Sequence, residues 1–306
     1  MTNSVYHLPV MLDECLEGLA IRPDGVYVDV TFGGGGHSRA ILERLGTEGR
    51  LYAFDRDADA LQNGIDDQRF CLINENFKHL KAFLRLKGVR RIDGLLADLG
   101  VSSHQIDEAE RGFSTRMDGP LDLRMDRREG QTAADIVNGS DEAELERILR
   151  LYGELPNARQ LAHDIIKRRM ENGEQTGIVT TNDLKEAVEK HLPRGRENKT
   201  LAMVFQALRI EVNGELEALR QMLVQGTELL NPGGRLCVMS YHSLEDRLVK
   251  NFIRSGNFDG IIEKDFYGNP IVQLRAVTRK PVTASDEELQ KNNRSRSAKL
   301  RVAEKI

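Results

Sequence analysis

The amino-acid sequence predicts an α/β protein, a parallel sheet wound by helices on both faces and interrupted by a helical insertion. Three observations carry that expectation. Strand-like and helix-like runs alternate from residue 11 to residue 99. The strand-like runs are almost continuously apolar, as strands covered on both faces must be. The alternation then stops, and residues 104–199 hold helical patterns but no convincing strand.

Taken in order, Met11 to Leu19 is apolar at helical spacing, and Val26 to Val30 is a β-branched strand running into glycines. Ser38 to Leu45 is helical, Arg50 to Phe54 a second strand, and Ala58 to Ile65 helical. Phe70 to Ile73 is a third strand, Phe77 to Leu86 helical, and Ile92 to Leu99 a fourth strand. Within the insertion, Ser140 is expected to cap a helix carrying Leu145, Ile148, Leu149 and Tyr152 on one face. Pro156 is expected to open another, and Thr181 to His191 a third. From Leu201 to Leu223 the apolar positions describe one long amphipathic helix, stopped by Asn231-Pro232-Gly233-Gly234. Arg235 to Ser240 reads as a fifth strand and Ser243 to Ile253 as a helix, with Ile271 to Ala276 and Lys299 to Ala303 as a closing antiparallel pair. The expected organisation is therefore residues 1–103 with 200–306 as a sheet-bearing core, and 104–199 as a helical insertion.

At 306 residues, 40% hydrophobic and 30% charged, the composition is that of a soluble globular chain. No apolar run is long enough to cross a bilayer, and the opening residues lack a secretory signal, so the cytoplasm is the expected location and no membrane partner is expected. Cys15, Cys71 and Cys237 are widely separated in apolar stretches, which indicates small buried hydrophobes rather than a metal site or a disulfide framework. The net charge of −4 does not itself suggest nucleic acid, but from Ile271 to the end nine Lys/Arg stand against four Asp/Glu. Lys167-Arg168-Arg169 and Arg194-Gly195-Arg196 add local basic clusters, a weak pointer toward phosphate.

The strongest local signal is the glycine run Gly33-Gly34-Gly35-Gly36 between the first strand and its helix, inside Val28-Asp29-Val30-Thr31-Phe32…His37-Ser38. Glycines there let backbone approach a ligand, and the helix start offers free N–H groups. Asp55, at the tip of the next strand and nineteen residues beyond Gly36, suits the two hydroxyls of a ribose. A dinucleotide site needs a third glycine, but that slot is Ser38 or Arg39. S-adenosylmethionine carries no phosphate and asks only for a close turn, an acid and an apolar wall. Phe77 is a candidate for that wall, and Asp98, ending the fourth strand, is expected beside the reacting methyl.

These blocks, with others in the same order, resemble the bacterial 16S rRNA cytosine-N4 methyltransferases of the RsmH (MraW) type. The resemblance runs almost end to end. It includes His7 with Val10-Met11-Leu12-Asp13-Glu14, the loop from Asp29 to Ser38, Phe54-Asp55-Arg56-Asp57, and Asp98-Leu99-Gly100-Val101-Ser102-Ser103. It continues through Glu110 to Ser114, Asp118 to Asp126, Phe205 to Ile210, Ser240-Tyr241-His242-Ser243-Leu244-Glu245-Asp246-Arg247, and Arg294 to Arg301. The resemblance implies a class I S-adenosylmethionine-dependent methyltransferase with a Rossmann-like doubly wound sheet. It implies methyl transfer to N4 of one P-site cytidine of 16S rRNA in the small ribosomal subunit, with the insertion helping to hold RNA. It also implies cofactor positions at Gly35, Gly36, His37, Asp55, Phe77, Asp98 and Gln105. Of these, His37 and Gln105 are not positions that the residues alone suggest.

Cytosine N4 is a poor nucleophile because its lone pair is delocalised into the ring, so an acceptor must hold and align the amine. Asp98 and His242 are the catalytic candidates. Asp98 could hold the amine, the cofactor or both, His242 could collect the proton or contact a phosphate, and Tyr241 could stack on a flipped base. The proline-rich block common after the fourth strand of base amino methyltransferases is absent, since Asp98 is followed by Leu99-Gly100-Val101. C5 chemistry is disfavoured because no cysteine follows a proline. The Arg- and Asp-rich stretch Glu110 to Gly130 is either a solvated loop of self-paired charges or a lid whose arginines meet rRNA. The competing functions are a non-catalytic ribosome assembly factor and an NAD-dependent oxidoreductase. A homodimer is compatible with the sequence, which does not fix the oligomeric state.

Overall fold

Short apolar runs separated by helices cannot pair as hairpins, so they are brought side by side by crossovers. The computed structural model describes residues 9–172 and 177–306, so His7 lies outside the described residues. Its strands are β1 (Val26–Asp29), β2 (Arg50–Phe54), β3 (Phe70–Ile73), β4 (Ile92–Asp98), β5 (Leu230–Ser240), β6 (Leu274–Ala276) and β7 (Lys299–Lys305). They form one sheet in the order β3-β2-β1-β4-β5-β7-β6, in which β1 to β5 pair in parallel and β7 is antiparallel to both of its neighbours. The strand order reverses between β1 and β4, and a crevice at the carboxyl ends of such strands is where this architecture binds ligands.

The helices are α1 (Leu12–Leu19), α2 (Gly36–Arg44), α3 (Leu80–Leu86), α4 (Ser103–Asp107), α5 (Ala133–Gly139), α6 (Glu142–Gly153), α7 (Ala158–Asn172), α8 (Thr181–Val188), α9 (Glu197–Asn213), α10 (Glu215–Leu229), α11 (Ser243–Ser255) and α12 (Asp286–Lys291). None is long and apolar enough to cross a membrane. The helix expected from Ala58 to Ile65 is a short 3-10 turn, Ala58–Asn63, held by the Asp57 side chain accepting from the Asp59 N–H. Ser140 does not cap α6. It closes α5, and Asp141 supplies the cap by accepting from the Glu144 N–H at 2.8 Å.

The chain divides into two compact units, one comprising residues up to Gly100 with Leu216–Ile306, the other Val101–Glu215. In the first, successive residues of each inner strand serve two cores. Leu95, Ala97, Leu236 and Val238 join α3, α10 and α11 on one face. Leu96, Cys237 and Met239 join α1 and α2 on the other. Cys15 and Cys237 are buried as expected, whereas Cys71 is only half-buried.

In the second unit α5 to α9 enclose their own apolar core, with Ala158, Leu161, Ala162 and Ile165 of α7 fully buried. Here the structure moves an expected boundary. The run from Leu201 to Leu223 is two helices, because the chain turns at Gly214 in the left-handed region (φ 58°). The first of them buries Leu201, Val204, Phe205 and Leu208 among the helices of this unit, so the return to the sheet falls at residue 216 rather than 200.

Gly94 in β4 lies against Tyr27 of β1, and a Cβ there would sit 2.7 Å from the buried ring. Gly94→Val is therefore expected to destabilise the protein by about 1–3 kcal/mol through overpacking, read as a lower urea midpoint at unchanged slope. Adding Tyr27→Leu should recover part of the loss.

Candidate active site

The chain leaves β1 through Asp29, a carboxylate buried at 1% exposure at the end of an otherwise apolar strand. Its Oδ2 accepts the Ser38 hydroxyl at 2.7 Å, and its Oδ1 accepts the Thr31 N–H at 3.0 Å. The Thr31 hydroxyl in turn accepts the Asp98 N–H at 2.7 Å, tying the glycine loop to the end of β4. Gly33 (φ 50°) and Gly35 (φ 77°) are left-handed, so the run is required by backbone geometry. A Cβ on Gly36 would strike Pro9 at 2.6 Å, whereas one on Gly34 would meet nothing within 4 Å. The loop is thus packed on one side and bare backbone facing open space on the other.

Asp55 stands where the second strand ends. Its Oδ2 accepts the Gly33 N–H at 2.7 Å and its Oδ1 the Asp57 N–H at 2.9 Å. Each carboxylate oxygen has a second lone pair, so the group can still receive hydroxyl donors. Burial pushes its carboxyl up to about 6, against the opposing effect of those two N–H groups. The Asn74 amide donates to the Asp55 carbonyl at 2.9 Å and joins the ends of β2 and β3. Phe77 follows four residues after β3, half-buried against the sheet core, behind the Asn76 cap.

Asp98 ends β4. The Tyr241 hydroxyl donates to its Oδ1 at 2.7 Å, and His37 Nδ1 lies 3.9 Å from its Oδ2. Burial pushes this carboxyl up to about 6 as well, with His37 and the tyrosine hydrogen bond working the other way. His37 is buried in the first turn of α2, and its Nε2 lies 3.1 Å from the Val10 carbonyl. A carbonyl can only accept, so Nε2 carries the hydrogen and Nδ1 is the nitrogen turned to Asp98. His37 is thus buried beside a carboxylate that the sequence alone does not place next to it.

Tyr241 and His242 follow β5. Tyr241 is half-buried, its hydroxyl is engaged with Asp98, and its N–H donates to the buried Glu245 at 3.0 Å. Burial and the adjacent Asp98 raise its own pKa, which keeps the phenol protonated as a donor. His242 is the N-cap of α11, with Nδ1 accepting from the Glu245 N–H at 3.5 Å and Nε2 3.2 Å from Glu245 Oε1. Its ring is only 9% exposed. Asp29, Thr31, Ser38 and Glu245 were not singled out by sequence reasoning. The one available signal was a charged residue inside the apolar run Val26 to Val30.

Gln105 belongs to the second unit. There it completes the capping box of α4, accepting the Ser102 N–H at 3.0 Å while the Ser102 hydroxyl accepts its own N–H at 3.2 Å. In the Glu110 to Gly130 stretch, Arg124 grips Asp122 (2.7 and 3.0 Å) and Arg128 grips Asp126 (2.9 and 2.7 Å). Arg111 is buried and donates to the carbonyls of Arg124 and Met125. These three arginines brace the loop itself. Arg116 is exposed.

A seven-stranded sheet with an antiparallel β7, a glycine turn after β1 and carboxylates on the next strand ends define a class I methyltransferase that uses S-adenosylmethionine. Comparison with known proteins gives the particular group. The chain belongs to the MraW methylase family, whose model matches residues 4–306. It is 56% identical over 305 residues to a ribosomal RNA small subunit methyltransferase H of Parabacteroides distasonis, covering 99% of each chain. It is 54% identical over 305 residues to the protein of that name from Flavobacterium johnsoniae, covering 100% of this chain and 99% of the other. The nicotinamide alternative falls with this membership, as does a purely non-catalytic role.

Asp55→Ala is expected to leave the chain folded, since the residue lies at a strand end, while weakening S-adenosylmethionine binding by about tenfold or more in titration calorimetry, the loss of hydrogen bonds to a charged acceptor. Wild-type affinity is expected to decline as pH falls through about 6, where Asp55 takes up its proton. An unchanged dissociation constant in the variant would remove Asp55 from the cofactor site.

Proposed function

We propose that this enzyme methylates the N4 amine of a single cytidine in the ribosomal RNA of the small subunit. The observation that carries the reading is Asp98. It is a carboxylate at the ligand edge of the central strand, fixed by Tyr241 and by the Thr31 hydroxyl, with Oδ2 the less encumbered oxygen. The names of the relatives supply the substrate class. Two of the three cysteines supply a chemical argument against C5 transfer. Cys15 and Cys237 are buried with thiols pushed well up by that burial, and neither can act as a ready thiolate.

In this reading the bare glycine backbone at Gly33 to Gly36 takes the amino-acid end of the cofactor, Asp55 the ribose hydroxyls, and Phe77 the adenine. Gly35, Gly36 and His37 shape that pocket, with Gln105 held at the head of α4. When bound, S-adenosylmethionine supplies an electrophilic methyl group on a positively charged sulfur. Asp98 accepts a hydrogen bond from the amine, which biases the nitrogen lone pair out of conjugation and aligns it. With a pKa near 6 it is ionised at neutral pH, yet basic enough to receive the proton that the alkylated nitrogen sheds. Tyr241 holds Oδ1 in place throughout. His242 enters as a positioning residue, because its Nδ1 caps the start of α11. The Val101–Glu215 unit is the part assigned to holding RNA.

Mass spectrometry of small-subunit rRNA from cells lacking the protein is expected to show one cytidine lighter by a methyl group, restored by the wild-type chain but not by Asp98→Ala. An unaltered modification pattern overturns the reading. Asp98→Asn should separate chemistry from stability. Its folded pKa is raised, so the folded state of the wild type binds more protons between pH 4 and 6, and stability falls as pH rises through that window. Without cofactor, the Asn variant is expected to be more stable than wild type at pH 8 by on the order of 2 kcal/mol, with the gain vanishing near pH 4, while losing methyl transfer at every pH.

A further inference from the structure

The basic excess after Ile271 is not used by the site above. Three of its members, Arg279, Lys280 and Arg301, line a cavity of about 520 Å³ in the sheet-bearing unit, beside α11 and the β6–β7 edge of the sheet. That is within the size range of a small-ligand pocket. Five cations line it, Lys250 and Arg254 from α11, Arg279 and Lys280 from the chain after β6, and Arg301 from β7, and no acid lines it. Arg301 is already held by Asp246 at 2.7 Å, and Arg254 donates to the Gly260 carbonyl at 2.8 Å. Lys250, Arg279 and Lys280 are exposed and have no ion pair among the described residues. Surface cations left unpaired around a concavity carry mutual repulsion that an anion would relieve.

Between the cations the floor is apolar, formed by Ile253, Leu274 and Val302. Thr278, in the wall, keeps a buried hydroxyl with no hydrogen-bond partner. An apolar floor under a cationic rim suits a flat aromatic group joined to a phosphate, which is the chemistry of a nucleotide. The connection from α11 to β6 also bears Phe266 and Tyr267, 98% and 85% exposed, packed edge to face at 5.6 Å. The turn that presents them is braced by Asp265, which accepts from the N–H groups of Tyr267 and Asn269 at 2.8 Å each. Exposed aromatic rings together with unpaired cations are the combination by which proteins hold single-stranded nucleic acid.

We infer that the pocket lined by Lys250, Arg279 and Lys280 is an RNA-strand exosite, holding a nucleotide of the substrate other than the one methylated. This rests on the rRNA reading above. It adds a second hold on the strand outside the helical unit.

The test is Arg279→Ala/Lys280→Ala, with Lys250→Ala on the opposite wall as an independent variant. S-adenosylmethionine affinity and melting temperature serve as checks of folding. Methyl transfer to small subunits is measured under steady-state conditions, and binding of a single-stranded rRNA fragment is followed across a salt series. For the double variant the expected result is a rise in KM of about tenfold at unchanged kcat, and a log–log salt dependence shallower by about 1.4, the contribution of two single-strand phosphate contacts. Lys250→Ala should give about half that change in slope. Wild-type KM and salt slope in both variants overturn the exosite. So does a titration in which cytidine monophosphate binds the wild type as tightly as the RNA fragment and competes with it, which marks a free-nucleotide site. If the wild type itself transfers no methyl group to rRNA, the substrate reading has failed, and this control distinguishes that failure from loss of the exosite.

Discussion

The catalytic edge of the sheet hangs on one buried carboxylate. Asp29 ties the first residues of α2 to the turn after β1 through Ser38 and Thr31, and Thr31 passes the constraint to the backbone of Asp98. A charged group at 1% exposure is costly unless it is hydrogen-bonded, and these contacts give each of its oxygens a donor. The glycine turn, the end of β4 and the start of α2 are thereby fixed to one another before any ligand arrives. Preorganisation of that kind is what lets a weak nucleophile be aligned without reordering the protein during the reaction.

The same edge holds two carboxylates against their electrostatic preference. Asp55 and Asp98 are each pushed up to about 6 by burial, so their ionised forms weaken the fold at neutral pH. Asp55 is retained by backbone N–H groups, which also lock Gly33. Asp98 is retained by a phenol that burial keeps protonated. In both, burial outweighs the hydrogen bonds that favour the charged form. The contrast lies within the same chain, where Asp122 and Asp246 are held low by their arginines.

The helical unit follows a different logic. It has its own apolar core, and three of its helices, α4, α5 and α8, begin with paired caps, Ser102 with Gln105, Thr132 with Asp135, and Thr180 with Asp183. Its arginine-rich loop is stiffened by Arg–Asp pairs two residues apart. Such pairs add little stability in solvent, but they hold an irregular segment in one shape. A segment with that much internal bracing can present a fixed surface without regular secondary structure.

The five parallel strands and the glycine loop were legible in the residues, because alternation of apolar runs with helical spacing is a local property. So were the acids at Asp55 and Asp98, since a strand end is set by where its apolar run stops. The break at Gly214 and the transfer of the 201–213 helix to the insertion were not legible, because an apolar stripe reads alike whichever core it enters. Nor was the His37, Asp98 and Tyr241 cluster, whose members come from the first turn of α2 and the ends of β4 and β5. The sequence by itself determined where the strands end, and so which acids and glycines stand at their carboxyl ends and in what order they appear. Only the tertiary structure decided which of them meet, since crossover connections bring residues 143 positions apart, such as Asp98 and Tyr241, within one hydrogen bond.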